Sequence, residues 1–168
     1  ANNLIYMWGV DVNTTRNEAV IGTAADRPLR DIPHDLFANT PNLTSLQNAF
    51  TETHYTTIPG TLLDPIKNSI ENMYEAFSHM DKLVTVGKDL LKNKPNLKNC
   101  KGTFAKCYEL KNYINEDPEM FKGSSKITTT NQMFFNCSKM LVGSNGINKL
   151  FDPLTKVTTM EFMFYGCS

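Results

Sequence analysis

The sequence lacks an excess of charge of either sign and any long apolar run. It has 17 basic and 17 acidic residues in a chain of 168, and the lysines are scattered. Nucleic acid is therefore not a predicted partner, because nucleic-acid binders concentrate positive charge. No segment approaches the roughly 20 apolar residues that span a bilayer, so no membrane insertion is predicted. Residues 1–8 have no basic leader and no long apolar stretch, which is not the pattern of an intact signal peptide.

An internal repeat organises most of the chain. Five phenylalanines, separated by 27, 27, 30 and 30 residues, anchor it: Phe50, Phe77, Phe104, Phe134 and Phe164. We number each repeat from its phenylalanine, which is position 0. Positions −7 and −4 are mostly apolar, and a second apolar pair lies about 13 residues before each anchor. A fixed period of this length is typical of repeat proteins, in which stacking buries surfaces that no single repeat can bury alone.

The repeat predicts an α/β fold, namely a right-handed leucine-rich-repeat-like solenoid of about five coils, each with a short strand and a short helix. Apolar residues at −7, −4, 0 and +3 have helical spacing, and residues 69–80 are the best helix candidate. Residues 56–58 and 83–86 resemble short strands. Residues 1–28 do not fit the period and are predicted to be an N-terminal cap or a linker. Residues 29–168 form the predicted solenoid.

The predicted coil boundaries follow from the anchors. The coils cover about residues 29–56, 57–84, 85–111, 112–142 and 143–168. The last coil is truncated, because the sequence stops inside it without a capping segment. An uncovered apolar end of a repeat array needs a cover. We therefore expect the native chain to continue or another chain to cover that end.

Three of the four cysteines share one repeat position. Cys107, Cys137 and Cys167 stand at +3, where earlier copies have Thr53 and Met80. A column that accepts Thr, Met or Cys indicates a small buried slot, in which a free thiol behaves as a small hydrophobe. A disulfide between adjacent coils and a metal site are the alternatives.

Two sequence blocks resemble the units of BspA-like leucine-rich-repeat surface proteins. Residues 157–168, VTTMEFMFYGCS, and residues 131–140 resemble the main unit, and residues 32–37, IPHDLF, resemble its partner block. The resemblance covers roughly residues 30–168, although the first two copies lack the cysteine. It implies an extracellular or cell-surface protein, or a virion-associated one, that attaches to a host or neighbouring-cell protein or glycan. It transfers no catalytic and no ligand-contacting position.

No residue pattern indicates catalysis. The histidines do not align in one repeat column, and no phosphate-binding loop occurs. We therefore predict that the protein is not an enzyme and has no catalytic residue, cofactor or metal. Tyrosine is enriched in binding patches, so aromatic residues that change between repeats are the predicted ligand contacts, with half-buried packing as the alternative for each. They are Tyr55, Tyr108, Tyr113 and Phe135.

Two functions agree with these features. The favoured one is a surface adhesion or protein/glycan recognition module. The alternative is a structural spacer or assembly subunit of a larger surface fibre or phage virion. In the alternative, an end-to-end contact through the uncapped C-terminal coil joins the subunits.

Overall fold

Regular secondary structure is short in the computed structural model, which describes residues 32–111, 113–141, 147 and 149–167. Strand β1, Thr57–Ile58, pairs in parallel with strand β2, Thr85–Val86. A 3-10 helix covers Asp64–Ile66 and helix α1 covers Tyr113–Glu116. Residues 147, 149 and 150 are also helical. Most other described residues form turns and irregular segments. The predicted cap or linker, residues 1–28, lies outside the described residues.

The predicted fold class, a leucine-rich-repeat-like α/β solenoid with a strand and a helix in each coil, is wrong. The described residues contain the single strand pair β1–β2 and only very short helices. Residues 69–80 form turns instead of the predicted helix. Glu75 and His79 have φ angles of 48° and 56°, and L-residues in this left-handed region interrupt a right-handed helix. The two strand predictions, residues 56–58 and 83–86, are confirmed only in part, because the strands cover Thr57–Ile58 and Thr85–Val86.

Each anchor segment is a run of consecutive tight turns. In the second repeat, the Ala76 N–H donates to the Met73 carbonyl at 3.1 Å, and the Ser78 N–H donates to the Glu75 carbonyl at 3.2 Å. Turns of this kind place contacts three residues apart. The spacing of three and four that resembled a helix therefore reflects successive turns.

The left-handed backbone positions recur at −2 and +2 of every repeat. At −2 they are Asn48, Glu75, Gly102, Gln132 and Phe162, and at +2 they are Glu52, His79, Lys106, Asn136 and Gly166. The N–H groups at −4, −2, 0 and +2 then point along the stack and donate to carbonyls of the following repeat. The Phe77 N–H, for example, donates to the Thr103 carbonyl at 2.9 Å. Four such bonds join each neighbouring pair of the five anchor segments, so the backbone sets their register.

The five anchor phenylalanines lie one behind another, and this predicted alignment is confirmed. Successive ring centroids are 5.2, 5.6, 5.6 and 5.7 Å apart, and neighbouring ring planes differ by at most 20°. The columns at −7 and −4 are buried beside the rings in the second, third and fourth repeats. Burying one phenylalanine contributes about 1.5–3 kcal/mol, so this column is a substantial part of the continuous apolar core of the described residues.

The cysteine column joins neighbouring repeats as well as filling space. The Cys137 thiol donates to the Phe104 carbonyl of the preceding repeat at 3.0 Å. The Cys107 and Cys167 thiols make the corresponding bonds, at 3.1 and 3.2 Å. All four cysteines are free, and three are buried while Cys167 is half-buried. The predicted buried thiols are therefore confirmed for Cys107 and Cys137.

Candidate binding surface

The four predicted ligand contacts lie in different environments. Tyr55 and Tyr113 are buried, and the Tyr113 ring packs edge-on against Phe104 with centroids 5.5 Å apart. Tyr108 is exposed and Phe135 is half-buried. Among the described residues no ring contact is seen between Tyr108 and Phe135, so the structure does not bring the four into one site.

Phe135 does belong to an exposed cluster of rings, which we call the aromatic patch and which consists of Phe135, Phe162 and Tyr165. The Phe135 and Tyr165 rings stack with centroids 5.4 Å apart and planes 11° apart. The Phe162 ring meets Tyr165 edge-on at 5.9 Å. Phe162 and Tyr165 are 58% and 60% exposed. Rings in contact with one another and with solvent form a contiguous apolar surface, which is characteristic of a binding site.

The patch occupies repeat positions that are small or polar elsewhere. Position +1, which holds Phe135 and Tyr165, has Thr51, Ser78 and Ala105 in the first three repeats. An aromatic residue at +1, where other repeats have a small or polar one, therefore marks Tyr165 as well as Phe135, although the sequence analysis predicts only Phe135 as a ligand contact. The aromatic side chains are not needed to build the repeat, since three repeats form without them.

Phe162 adds a second indication, from its backbone. It stands at position −2, which holds Asn, Glu, Gly and Gln in the other four repeats, and its φ angle is 55°. The left-handed conformation is unfavourable for a bulky side chain and costs about 1–2 kcal/mol. Because every repeat is left-handed at −2, the conformation belongs to the repeat, and what distinguishes this position in the fifth repeat is its exposed aromatic ring.

Exposed charges elsewhere on the stack pair between neighbouring repeats. The Lys98 ammonium lies 2.8 Å from the Glu71 carboxylate, and the Lys139 ammonium lies 2.7 Å from the Glu109 carboxylate. The hydrogen bond from Lys139 lowers the pKa of Glu109. Exposed pairs of this kind contribute little stability. None of the three patch residues takes part in these ion pairs.

The buried charged residues have structural roles. The Lys94 ammonium donates to the Lys92 carbonyl at 2.8 Å and lies 3.6 Å from the Asp64 carboxylate, and its burial lowers the pKa of Lys94. The buried Asp117 carboxylate accepts the Asp89 N–H at 2.8 Å. Each of these groups bonds to backbone, so neither is positioned for chemistry on a ligand.

The described part of the chain contains no cluster of histidine, cysteine and carboxylate side chains that could hold a metal ion. Within the same part, no helix has the length and apolar character to cross a membrane. No family model matches the chain, and a search of curated proteins finds no significant match. The resemblance to BspA-like surface proteins therefore stays a prediction that the sequence blocks alone support.

Proposed function

We propose that the protein is a non-enzymatic adhesion or recognition module that binds a protein or glycan of a host or neighbouring cell through the aromatic patch. The observation that carries the proposal is the exposure of Phe162 and Tyr165 at positions that other repeats fill with small or polar residues. Aromatic rings supply large contact areas at low entropic cost and are enriched in binding surfaces. An extracellular, cell-surface or virion location is part of the proposal and rests on the family resemblance.

The scaffold holds the patch in a fixed geometry. The Phe135 carbonyl accepts the Lys106 N–H at 2.6 Å, and the Tyr165 carbonyl accepts the Asn136 N–H at 2.7 Å. The two stacked rings therefore project from backbone that is bonded to the preceding repeat. Rigid anchors lose little conformational freedom on binding, which favours affinity. The outer edges of the rings supply a flat apolar strip for the ligand.

The test is a binding screen of the purified chain against a glycan array and a panel of host extracellular proteins. Tyr165→Ser and Phe135→Ala replace the rings with side chains that the same column already accepts in other repeats. We expect each to weaken binding at least tenfold, about 1.4 kcal/mol. Tyr108→Ser removes an exposed tyrosine outside the patch and is the matched control, with an expected change below twofold. A ligand that binds both patch variants as tightly as the unaltered chain contradicts the proposal.

We propose as the alternative function a spacer or assembly subunit of a surface fibre or virion, which predicts that the chain associates with itself. Concentration-dependent oligomers in sedimentation, together with no ligand in the screen, would favour the assembly role over recognition.

A further inference from the structure

The cysteine column brings thiols of neighbouring repeats together. The Phe104 carbonyl accepts the Cys107 N–H of its own repeat at 3.3 Å and the Cys137 thiol of the next repeat at 3.0 Å. Burial raises the pKa of Cys137, and a hydrogen bond from the Cys107 backbone to its sulfur partly offsets that rise. The Cys137 sulfur therefore lies directly against the backbone of Cys107.

The spacing of the stack suits a disulfide between these two residues. The rings of Phe104 and Phe134, three residues before each cysteine, have centroids 5.6 Å apart and planes 6° apart. Because the rings repeat in parallel, equivalent backbone atoms of repeats three and four are separated by a similar distance. Cα atoms joined by a disulfide usually lie about 4.4–6.8 Å apart. Neighbouring positions of the cysteine column therefore satisfy the distance that a disulfide requires.

One side-chain rotation brings the two sulfurs together. The Cys107 thiol donates to the Phe77 carbonyl at 3.1 Å, on the side away from repeat four. Rotation about the Cα–Cβ bond of Cys107 turns its sulfur towards Cys137 and gives up this hydrogen bond. The Cys137 sulfur already points to repeat three. Both residues are fully buried, so a bond between them is shielded from external reductants.

We propose that Cys107 and Cys137 form a disulfide that joins repeats three and four when the chain folds in an oxidising environment. The oxidant is a small disulfide such as oxidised glutathione. The two thiols lose two protons and two electrons as their S–S bond forms, and the S–S bond of the oxidant breaks to give two thiols. Such bonds persist outside the reducing cytosol. The inference therefore shares the location given in the proposed function but is independent of the aromatic patch.

Sequence distance and the folded stack favour different cysteine pairs. In an unfolded chain the nearest pair is Cys100 and Cys107, and short loops close at the lowest entropic cost. In the folded chain Cys100 stands at position −4, where the neighbouring repeats have Met73 and Thr130. No thiol precedes or follows Cys100 in its own column. The identity of the pair that forms therefore shows whether the stack directs the oxidation.

The test is refolding of the full chain from urea in a glutathione buffer, followed by trypsin digestion without reductant and by mass spectrometry. Each cysteine falls in a different tryptic peptide, because a lysine separates every neighbouring pair. We expect the peptide that joins Cys107 to Cys137 to be at least tenfold more abundant than any cross-linked peptide that contains Cys100. The urea midpoint of the oxidised chain should lie about 1 M above that of the same chain reduced again with dithiothreitol.

Three serine variants separate the possible outcomes. Cys107→Ser and Cys137→Ser each remove one sulfur and keep a hydroxyl group, which the first repeat already has in this column at Thr53. Both should abolish the cross-linked peptide, and circular dichroism of the reduced variants reports that the stack remains folded. Cys100→Ser is the matched control, because it removes a buried thiol from a different column. It should keep both the cross-link and the difference between the two urea midpoints.

The proposal is overturned if the pair of Cys100 and Cys107 dominates, if Cys137 pairs with Cys167 instead, or if the column stays reduced in the glutathione buffer. Equal urea midpoints for the oxidised and the reduced chain also overturn it. Tyr165→Ser, which tests recognition through the aromatic patch, should leave the cross-link unchanged. Failure of one proposal is therefore distinguishable from failure of the other.

Discussion

Phe104 occupies the middle of the phenylalanine column, and its replacement by alanine is the most direct test of what holds the stack together. Its ring is fully buried and stacks on Phe77 and Phe134, each with centroids 5.6 Å away. Tyr113 meets it edge-on at 5.5 Å. Phe104→Ala therefore removes three ring contacts and leaves a cavity between two repeats.

The expected loss follows from these contacts. Loss of burial and the cavity together cost about 3–5 kcal/mol for a buried phenylalanine changed to alanine. Aromatic pairs add about 0.5–1.5 kcal/mol each beyond burial, which places Phe104 in the upper half of that range. Phe164→Ala is the matched control. Phe164 is half-buried and stacks on a single anchor ring, Phe134, so we expect its loss to cost less than half as much.

The assay is urea unfolding followed by far-ultraviolet circular dichroism and by tyrosine fluorescence. Repeat arrays can lose cooperativity, so the two probes must report the same midpoint before free energies are compared. A loss below about 1 kcal/mol for Phe104→Ala would remove this ring from the stabilising core. An equal loss for Phe164→Ala would show that stacking on both sides has no special weight.

Three further predictions concern the cysteines and one glycine. Burial raises the pKa of Cys100 and of Cys107 from 9.0 to about 12. Because the pKa is higher in the folded state, the contribution of these thiols to stability is intact below about pH 9 and is lost as the pH rises towards 12. The urea midpoint should therefore fall over that pH range. A thiol reagent at pH 8 should modify the half-buried Cys167 at least tenfold faster than Cys107, as mass spectrometry of digests would show, and equal rates would contradict the burial pattern. Gly60→Ala should destabilise the chain by more than about 1 kcal/mol in the same urea assay. The reason is that an added Cβ collides with the Lys88 backbone carbonyl oxygen beside strands β1 and β2. A neutral result would mean that the two backbone segments can separate.

The register of the repeat was predictable from the sequence because it depends on side-chain chemistry that recurs. The column of rings from Phe50 to Phe164 and the slot shared by Cys107 and Cys137 follow from alignment of the copies. Burial of equivalent positions is the simplest arrangement in which stacked repeats cover one another. The strands near Thr57 and Thr85 were also predictable, from their β-branched residues.

The conformation within each repeat was not predictable in the same way. Apolar residues three and four apart fit a helix and a series of tight turns equally well. The difference lies in the left-handed residues at −2 and +2, such as Glu75 and His79. Glycine in the sequence indicates a left-handed conformation, but among the ten positions at −2 and +2 of the five repeats only Gly102 and Gly166 are glycines. Backbone hydrogen bonds between neighbouring repeats accompany it at the other positions of the first four repeats, and such long-range contacts leave no local signal in the sequence.

The residues of the candidate site were likewise predictable only in part. Tyr113 was predicted to face a ligand, yet it fills space beside Phe104, because residues between anchors can return to the interior of a stack. Phe162 was not predicted, since a ring at a left-handed position is unusual. Only the comparison of position −2 across all five repeats, combined with the backbone geometry, identifies it.

The organisation of the stack explains why a binding site can arise on it without loss of stability. Backbone bonds at four positions and the buried columns at −7, −4, 0 and +3 hold neighbouring repeats together. Positions such as +1 carry a side chain that the junction does not require, as Thr51 and Ala105 show. Stability in such arrays is a sum of repeat and nearest-neighbour contributions. We therefore expect exchange of Phe135 or Tyr165 for a small residue to have little effect on folding. A loss of ligand binding in the same variants would then identify these rings as contact residues of the aromatic patch.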